Sequence, residues 1–267
     1  MVINVKGVVL REVDTGEYDK MLTVLTQERG RVSVFANGVK RLKSPHFVAT
    51  QLYTYSEFTL YGSGDKYYIR ECSKTESFFG LRDTLEGLSL AAYIAEVACD
   101  VSLEEQSEER LLRLVLNSFF CIAKRSKPFE MIKAAFELRV AGEIGFMPDL
   151  VGCGDCGKGD LPTYYFDIED GVFRCEDCYH ALEPRLAAEA GRRNESEGIY
   201  ARTHLIVPLS VSVLAAMRYV LYCKQERLFA FDLKDEARGE FFSVCEKYLL
   251  CHLERDFPSL DFYKSVK

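Results

Sequence analysis

The sequence predicts an α+β protein: a small five-stranded barrel at the N-terminus, then a helical domain into which a cysteine-held ribbon is inserted. Three observations carry this prediction. Apolar residues alternate with period two over roughly the first 75 positions and recur at steps of three and four from Asp83 onward. Two C-x2-C pairs then stand between helical stretches. With 267 residues, two domains are expected, and the change of period places them at 1–80 and 81–267, with the ribbon at about 150–182.

The strands are read at 2–13, 21–26, 31–36, 52–61 and 66–73, all rich in β-branched and aromatic residues. Leu52, Thr54 and Ser56 fall on one face, and Tyr53, Tyr55 and Glu57 on the other. Turns are expected at Gly16, at 28–30, at Asn37-Gly38 and at Gly62-Ser63-Gly64-Asp65. Five strands in so short a stretch imply a closed or nearly closed barrel, because an open sheet would leave unpaired edges.

Helical periodicity begins with Leu85, Leu88, Ala92, Ala95 and Cys99 on one face. A second helix spans about 107–124, with Leu112, Val115, Phe119 and Ile122 aligned. A third starts near Pro128, carries Phe129, Ile132, Phe136 and Val140, and stops at Gly145 before Pro148. The polar stretch 187–200 reads as a loop. Two more helices are expected, one after Ser210 and one from Asp235 to about Leu253.

The chain has ten cysteines. Its N-terminus lacks the pattern of a secretory signal and no apolar run is long enough to span a bilayer, so a cytoplasmic protein with reduced thiols is expected. Cys72, Cys99, Cys121, Cys223, Cys245 and Cys251 are scattered and read as small buried hydrophobes. The other four form Cys153-Gly-Asp-Cys156 and Cys175-Glu-Asp-Cys178, separated by 18 residues. Each pair turns two thiolates toward one point, and Gly152, Gly154 and Gly157 let the backbone curl.

Between the pairs, residues 164–168 and 172–174 flank an Asp-Gly turn, so the segment reads as a zinc ribbon. Four thiolates close the coordination shell, which makes one zinc ion per chain structural rather than catalytic. Iron fits the same spacing, and His180 is an alternative donor to Cys178. A redox pair is disfavoured by the presence of two pairs. The run Gly152 to Gly159 imitates a phosphate-binding loop, but Gly159 stands where Ser or Thr is required.

Net charge is −7, unevenly distributed. Residues 1–80 hold 11 basic and 9 acidic side chains, +2, whereas the remainder holds 23 and 32, −9. Affinity for an anionic polymer is therefore expected in the barrel. Its loop 37–44 carries Lys40, Arg41 and Lys43, with Arg11, Lys20, Arg29 and Arg31 nearby in sequence. Phe35, Phe47, Tyr53 and Tyr55 are aromatics of the same region. A basic groove with stacking platforms is how single-stranded nucleic acid is held. No hydrolase, zinc-protease or nucleotide-binding motif is present, and a non-enzymatic protein is expected. His252 reads as a packed histidine, and Glu104, Glu105, Glu108 and Glu109 as a solvated helix flank.

The run Phe136-Glu137-Leu138-Arg139, continuing through Gly145-Phe146-Met147-Pro148-Asp149-Leu150 into Cys153, resembles the RecO family of bacterial recombination-repair mediators. Leu25-Thr26-Gln27-Glu28-Arg29-Gly30-Arg31, the Gly38 to Ser44 loop, Tyr248 to Leu253 and Ser259 to Phe262 are similar as well. The resemblance implies an N-terminal OB-fold and a helical C-terminal domain with a zinc ribbon. It also implies binding of single- and double-stranded DNA, annealing of complementary strands, and cooperation with RecR. Together these help RecA displace single-strand-binding protein. Carried over, Lys40, Arg41 and Lys43 are the first phosphate contacts, with Arg29 and Arg31 second. The competing class is a zinc-ribbon adaptor that reaches DNA only through partners; a metal-dependent nuclease is a distant third.

Overall fold

The computed structural model describes residues 1–63, 66–159, 161–193 and 205–267. Five strands come first: β1 (Val2–Asp14), β2 (Lys20–Thr26), β3 (Gly30–Ala36), β4 (Thr54–Ser63) and β5 (Lys66–Ser77). They form a closed barrel in the order β1-β2-β3-β5-β4, as the strand pattern predicts. Pairing is antiparallel except between β3 and β5, which run parallel. β1 is long because it serves two partners, pairing residues 2–8 with β4 and residues 7–14 with β2. Bulges after Val9 and within the β4–β5 pair supply the bend that closure demands.

The period-two pattern explains the core. Ile3, Val5, Leu22, Val24, Val32, Val34, Phe58, Leu60 and Tyr67 point inward. Thr54 and Ser56 share the inward face with Phe58 and Leu60, and both are buried. Tyr53 leaves that alternation. It adopts a positive φ of 63°, donates its N–H to the Val9 carbonyl at 2.8 Å, and buries its ring 5.2 Å from Phe119.

Beyond the barrel run α1 (Leu85–Val101), α2 (Glu109–Lys124), α3 (Phe129–Glu143), β6 (Tyr164–Asp167), β7 (Val172–Arg174), α4 (Glu176–Arg193), β8 (Ile206–Leu209), α5 (Val211–Tyr222), α6 (Asp235–Leu253) and α7 (Pro258–Val266). Residues 187–193, expected as loop, continue α4, while 194–200 and the turn residues Gly64 and Asp65 lie outside the described residues. Among the described residues, no helix is long and apolar enough to cross a membrane. The chain forms two compact units, Met1–Ile132 with Asp256–Lys267, and Lys133–Arg255.

In the first unit, α1 starts at Thr84, whose hydroxyl accepts from the Gly87 N–H at 3.1 Å. The expected apolar face of α1 is corrected in part: Ala95 is buried and Leu88, Ala92 and Cys99 half-buried, but Leu85 is exposed, while Leu90, Ala91, Ile94, Val97 and Ala98 are fully buried. The reason is that α1 packs against the barrel, α2 and α7, so it is covered on more than one side and has no single apolar stripe. The C-terminal tail is itself a helix, α7, with Pro258 in its first turn. Leu260 and Tyr263 are buried, Phe257 meets Tyr93 edge-on at 5.9 Å, and Ser259 donates its N–H to Glu96 at 3.1 Å.

The barrel is tied to the α1–α2 connection by backbone. Arg31 N–H donates to the Leu103 carbonyl (2.9 Å), Glu105 N–H to the Arg29 carbonyl (3.0 Å) and Glu108 N–H to the Gln27 carbonyl (3.1 Å). Gly30 sits inside this tie at φ +59°, where a Cβ would collide with the Leu103 carbonyl oxygen and lie 2.8 Å from that of Gln106.

The second unit buries Phe136, Leu138, Met217, Val220, Phe241 and Leu249, and buried polar contacts add to this core. Lys133 of α3 reaches Glu137 at 2.8 Å and Glu246 of α6 at 2.7 Å. Burial alone would lower the Lys133 pKa, but the two carboxylates outweigh it and raise it. Arg139 donates to the carbonyls of Val220 (2.9 Å), Leu221 (2.8 Å) and Cys223 (3.2 Å), capping the C-terminal end of α5.

The Gly30 tie is testable. Gly30→Ala should lower unfolding stability by at least about 1–2 kcal/mol from the left-handed backbone alone, with the collision adding to it. Urea denaturation measures this, and an unchanged midpoint would show that the α1–α2 connection does not clamp the barrel as described.

Candidate metal centre and nucleic-acid interface

The ribbon is built around β6 and β7, paired antiparallel with Phe166 opposite Phe173, and β8 adds a third strand in the order β7-β6-β8. Two knuckles flank the hairpin. In the first, Gly157 donates to the Cys153 carbonyl and Cys153 to the Lys158 carbonyl, both at 2.8 Å. Gly157 takes φ +72°, a turn conformation that side chains disfavour. In the second, Cys175 precedes α4 and Cys178 lies in its first turn.

The folding brings Cys153, Cys156, Cys175 and Cys178 together, with all four sulfurs within 4.8 Å of one another. Zn–S bonds of about 2.3 Å put tetrahedral sulfurs about 3.8 Å apart, and Cys156 and Cys175 Sγ atoms are separated by 3.7 Å. The donor set therefore fits a thiolate-bound metal ion. Burial works against ionisation of Cys153, but N–H groups of Cys175, Cys156 and Asp155 outweigh it and bring its pKa down to about 6. The Cys178 thiol is held up by its hydrogen bond to Cys175 and by burial. Four thiolates this close repel one another, and a bound cation is what relieves that repulsion. His180 is not part of the group: its Nδ1 lies 2.8 Å from Glu183, which raises its pKa.

Arg174 buttresses the hairpin with three carboxylates: Asp155 at 3.0 Å, buried Asp167 at 2.6 Å and Asp170 at 3.0 Å. Asp167 also accepts the N–H groups of Glu169 and Asp170 at 3.2 Å, which shapes the turn between the strands. This charged cluster carries no local sequence signature that would distinguish it from surface residues.

The basic loop is fixed against the β1–β2 connection. Asp19 accepts the Gly38 N–H at 2.6 Å, and the Lys40 N–H donates to the Tyr18 carbonyl at 3.0 Å. Lys40 Nζ pairs with Asp14 at 2.8 Å, and the Arg41 guanidinium lies 5.4 Å from the centre of the Tyr18 ring. Arg41 and Lys43 are exposed, and Lys43 has no ion-pair partner among the described residues. Arg41 and Lys43 thus present their charge to solvent from a loop whose backbone is held in place.

Arg29 and Arg31 are placed differently. Arg29 pairs with Glu105 at 2.6 Å, and Arg31 with Glu104 at 3.1 Å while also donating to the Cys99 carbonyl. Of the acidic residues read as a solvated flank, Glu104 and Glu105 are thus ion-pair partners of the barrel, each pair worth at most about 1 kcal/mol at this exposure, while Glu109 pairs with Arg113 of α2. Among the aromatics, Tyr53 belongs to the core, Phe47 is exposed, and Phe35 and Tyr55 are half-buried. His252 is a packed histidine, stacked on Phe146 at 4.7 Å and edge-on to Tyr248 at 4.4 Å, with burial lowering its pKa. Of the six scattered cysteines, Cys245 is buried and the others are only half-buried; burial still pushes the Cys99 thiol up to about 11.

Comparison with known families agrees with this architecture. Residues 1–78 match the family model for the recombination protein O N terminal domain, and residues 82–261 match that for its C terminal domain. A DNA repair protein RecO from Acetivibrio thermocellus is 31% identical over 99% of this chain and 97% of its own. The protein of that name from Alkaliphilus metalliredigens is 27% identical over the full length of both, and that from Bacillus velezensis 26% over 93% and 88%. Two family models that together span nearly all of the sequence, on a closed barrel followed by helices and a four-cysteine ribbon, lead to one conclusion: the chain belongs to the recombination protein O (RecO) family.

Proposed function

We propose that this chain is a non-enzymatic DNA-binding mediator of recombination repair. It binds single- and double-stranded DNA through the barrel, anneals complementary single strands and, with RecR, assists the loading of RecA onto DNA coated with single-strand-binding protein. The observation that carries this reading is the loop of Lys40, Arg41 and Lys43, pinned to Asp14, Tyr18 and Asp19 in a member of the RecO family. A pre-ordered cationic loop loses little conformational freedom on meeting phosphates, which favours a real contact over a solvated tail. Arg29 and Arg31, like Lys40 with Asp14, already bind a carboxylate (Glu105 and Glu104), and they lie outside the pinned loop, so they are secondary contacts. Their main contribution is to hold the barrel on the helices.

The four cysteines, in this reading, hold one zinc ion per chain. With all four positions taken by thiolates the ion has no open site for water, so it supplies folding free energy rather than catalysis. The −9 charge of residues 81–267 fits a role in protein contact better than one on DNA.

Two experiments bear on this. Lys40→Glu combined with Arg41→Glu should weaken binding of a labelled single-stranded oligonucleotide irrespective of its sequence. Loss of two phosphate contacts should also flatten the salt dependence, lowering the slope of log K against log salt by about 1.4. Affinity that is unchanged in the double variant would remove the basic loop from the account, whereas affinity that exists only when RecR is added to the wild type would favour an adaptor that reaches DNA through partners. For the metal, protein purified without added metal should contain close to one equivalent of zinc by elemental analysis. Zinc binding requires deprotonated thiols, so acidification should release it; absence of zinc at neutral pH would refute the site.

A further inference from the structure

The outward face of the barrel carries an apolar row that its core does not need. In each strand the neighbour of a row residue points inward: Ile3, Leu22, Val34, Leu60 and Tyr67 belong to the barrel core. The alternate residues must then point out. Register places them side by side around the barrel. Val13 is opposite Met21, Met21 opposite Phe35, Phe35 opposite Tyr68, Tyr68 opposite Tyr61, and Tyr61 opposite Val2. The three rings stack in sequence, Phe35 on Tyr68 at 5.2 Å and Tyr68 on Tyr61 at 5.4 Å, with interplanar angles of 22° and 23°.

Cross-strand aromatic pairs stabilise sheets, and part of this row does that. Stability does not account for its open end. Tyr61 is 45% exposed, Val2 53% and Val13 41%, so a continuous apolar stripe meets water. Its surroundings indicate what it meets in function. The loop bearing Lys40, Arg41 and Lys43 begins directly after β3, one residue beyond Ala36 and two beyond Phe35, and exposed Lys66 opens β5 two residues before Tyr68. The end of β1, the start of β2, the end of β4 and the start of β5 lie at this same end of the barrel, the end from which small barrels of this topology grip oligonucleotides.

Farther along β1, β4 and β5 the charge reverses. A groove of about 520 Å³ is lined by Glu28, Glu57 and Glu71, with Lys6 and His46 beside them. Lys6 is neutralised by Glu57 at 2.7 Å. That groove repels phosphate, so it bounds the nucleic-acid track on one side.

We infer that Tyr61, Tyr68 and Phe35 form a base-stacking platform for single-stranded DNA, with Tyr61 offering the open ring and the 37–44 loop holding the phosphates. This rests on the DNA-binding reading above and adds to it the surface that takes the bases. Stacking accepts any base, which suits a protein that acts on strands of arbitrary sequence.

The chain contains no tryptophan, so Tyr61→Trp creates a single fluorescent reporter at the open end of the row. Titration with oligo(dT) should quench its emission to a stoichiometric endpoint. Tyr61→Leu, which keeps apolar bulk but removes the π-face, should weaken oligo(dT) binding about fivefold or more while leaving the salt slope at its wild-type value. Far-UV circular dichroism and thermal melting of both variants separate stacking from loss of the fold. If wild type binds oligo(dT) while the Trp emission stays constant and Tyr61→Leu binds equally well, the platform is wrong and the DNA-binding reading stands. If wild type binds no oligonucleotide at low salt, both fall. Emission that responds to RecR alone and not to oligo(dT) would make the row a protein interface and overturn the proposal.

Discussion

Barrel closure hangs on its shortest seam. β3 and β5 pair in parallel at only two positions, Val34 with Tyr67 and Phe35 with Tyr68, and parallel pairing is slightly weaker per residue than antiparallel. Yet this seam removes the last open edge of the sheet. It also sorts side chains by face: Val34 and Tyr67 complete the core while Phe35 and Tyr68 stack outside. Because β3 ends there, the chain leaves the barrel beside the start of β5 and turns at once into the basic loop. That loop then docks on the β1–β2 connection through Asp14, Tyr18 and Asp19. Closure thus puts the cations and the aromatic row at one end of one barrel.

The barrel and the ribbon are stabilised differently. The barrel has a conventional apolar core of interdigitated β-branched and aromatic side chains. The ribbon has three short strands that bury Phe166 and Phe173, and it is further held by four thiols brought to one point and by Arg174, which pairs with Asp155, Asp167 and Asp170. Breaking a buried charge cluster by removing one partner is costly. The four cysteines and Arg174 therefore work as one scaffold. Glu137 and Arg139, prominent in the stretch through which the sequence resembles its family, are scaffold residues too. One binds Lys133 and the other caps the end of α5.

Legibility in the sequence followed locality. The strands, the four-cysteine cluster and the helices α2, α3, α5 and α6 could be read because their signals lie within a few residues. What escaped was set by partners far along the chain. The inward face of α1 depends on α7, some 160 residues later, and cannot be seen in the α1 sequence. The pairs Arg29–Glu105 and Arg31–Glu104 join residues more than 70 positions apart. β8 is four residues with a central proline, Pro208, acceptable only on the sheet edge it occupies. The stacked row escaped for the same reason: alternation marks Phe35, Tyr61 and Tyr68 as outward, but only register makes them neighbours.

The central claim is that DNA contact resides in the barrel, on the basic loop and the row beside it. Photo-crosslinking to a single-stranded oligonucleotide carrying 5-iodouracil, followed by mass spectrometry of the tryptic peptides, tests it most directly. The account predicts adducts on peptides from residues 1–80, foremost those containing Phe35, Tyr61, Tyr68 and the 37–44 loop. Adducts confined to residues 133–255, with the barrel peptides unmodified, would contradict it.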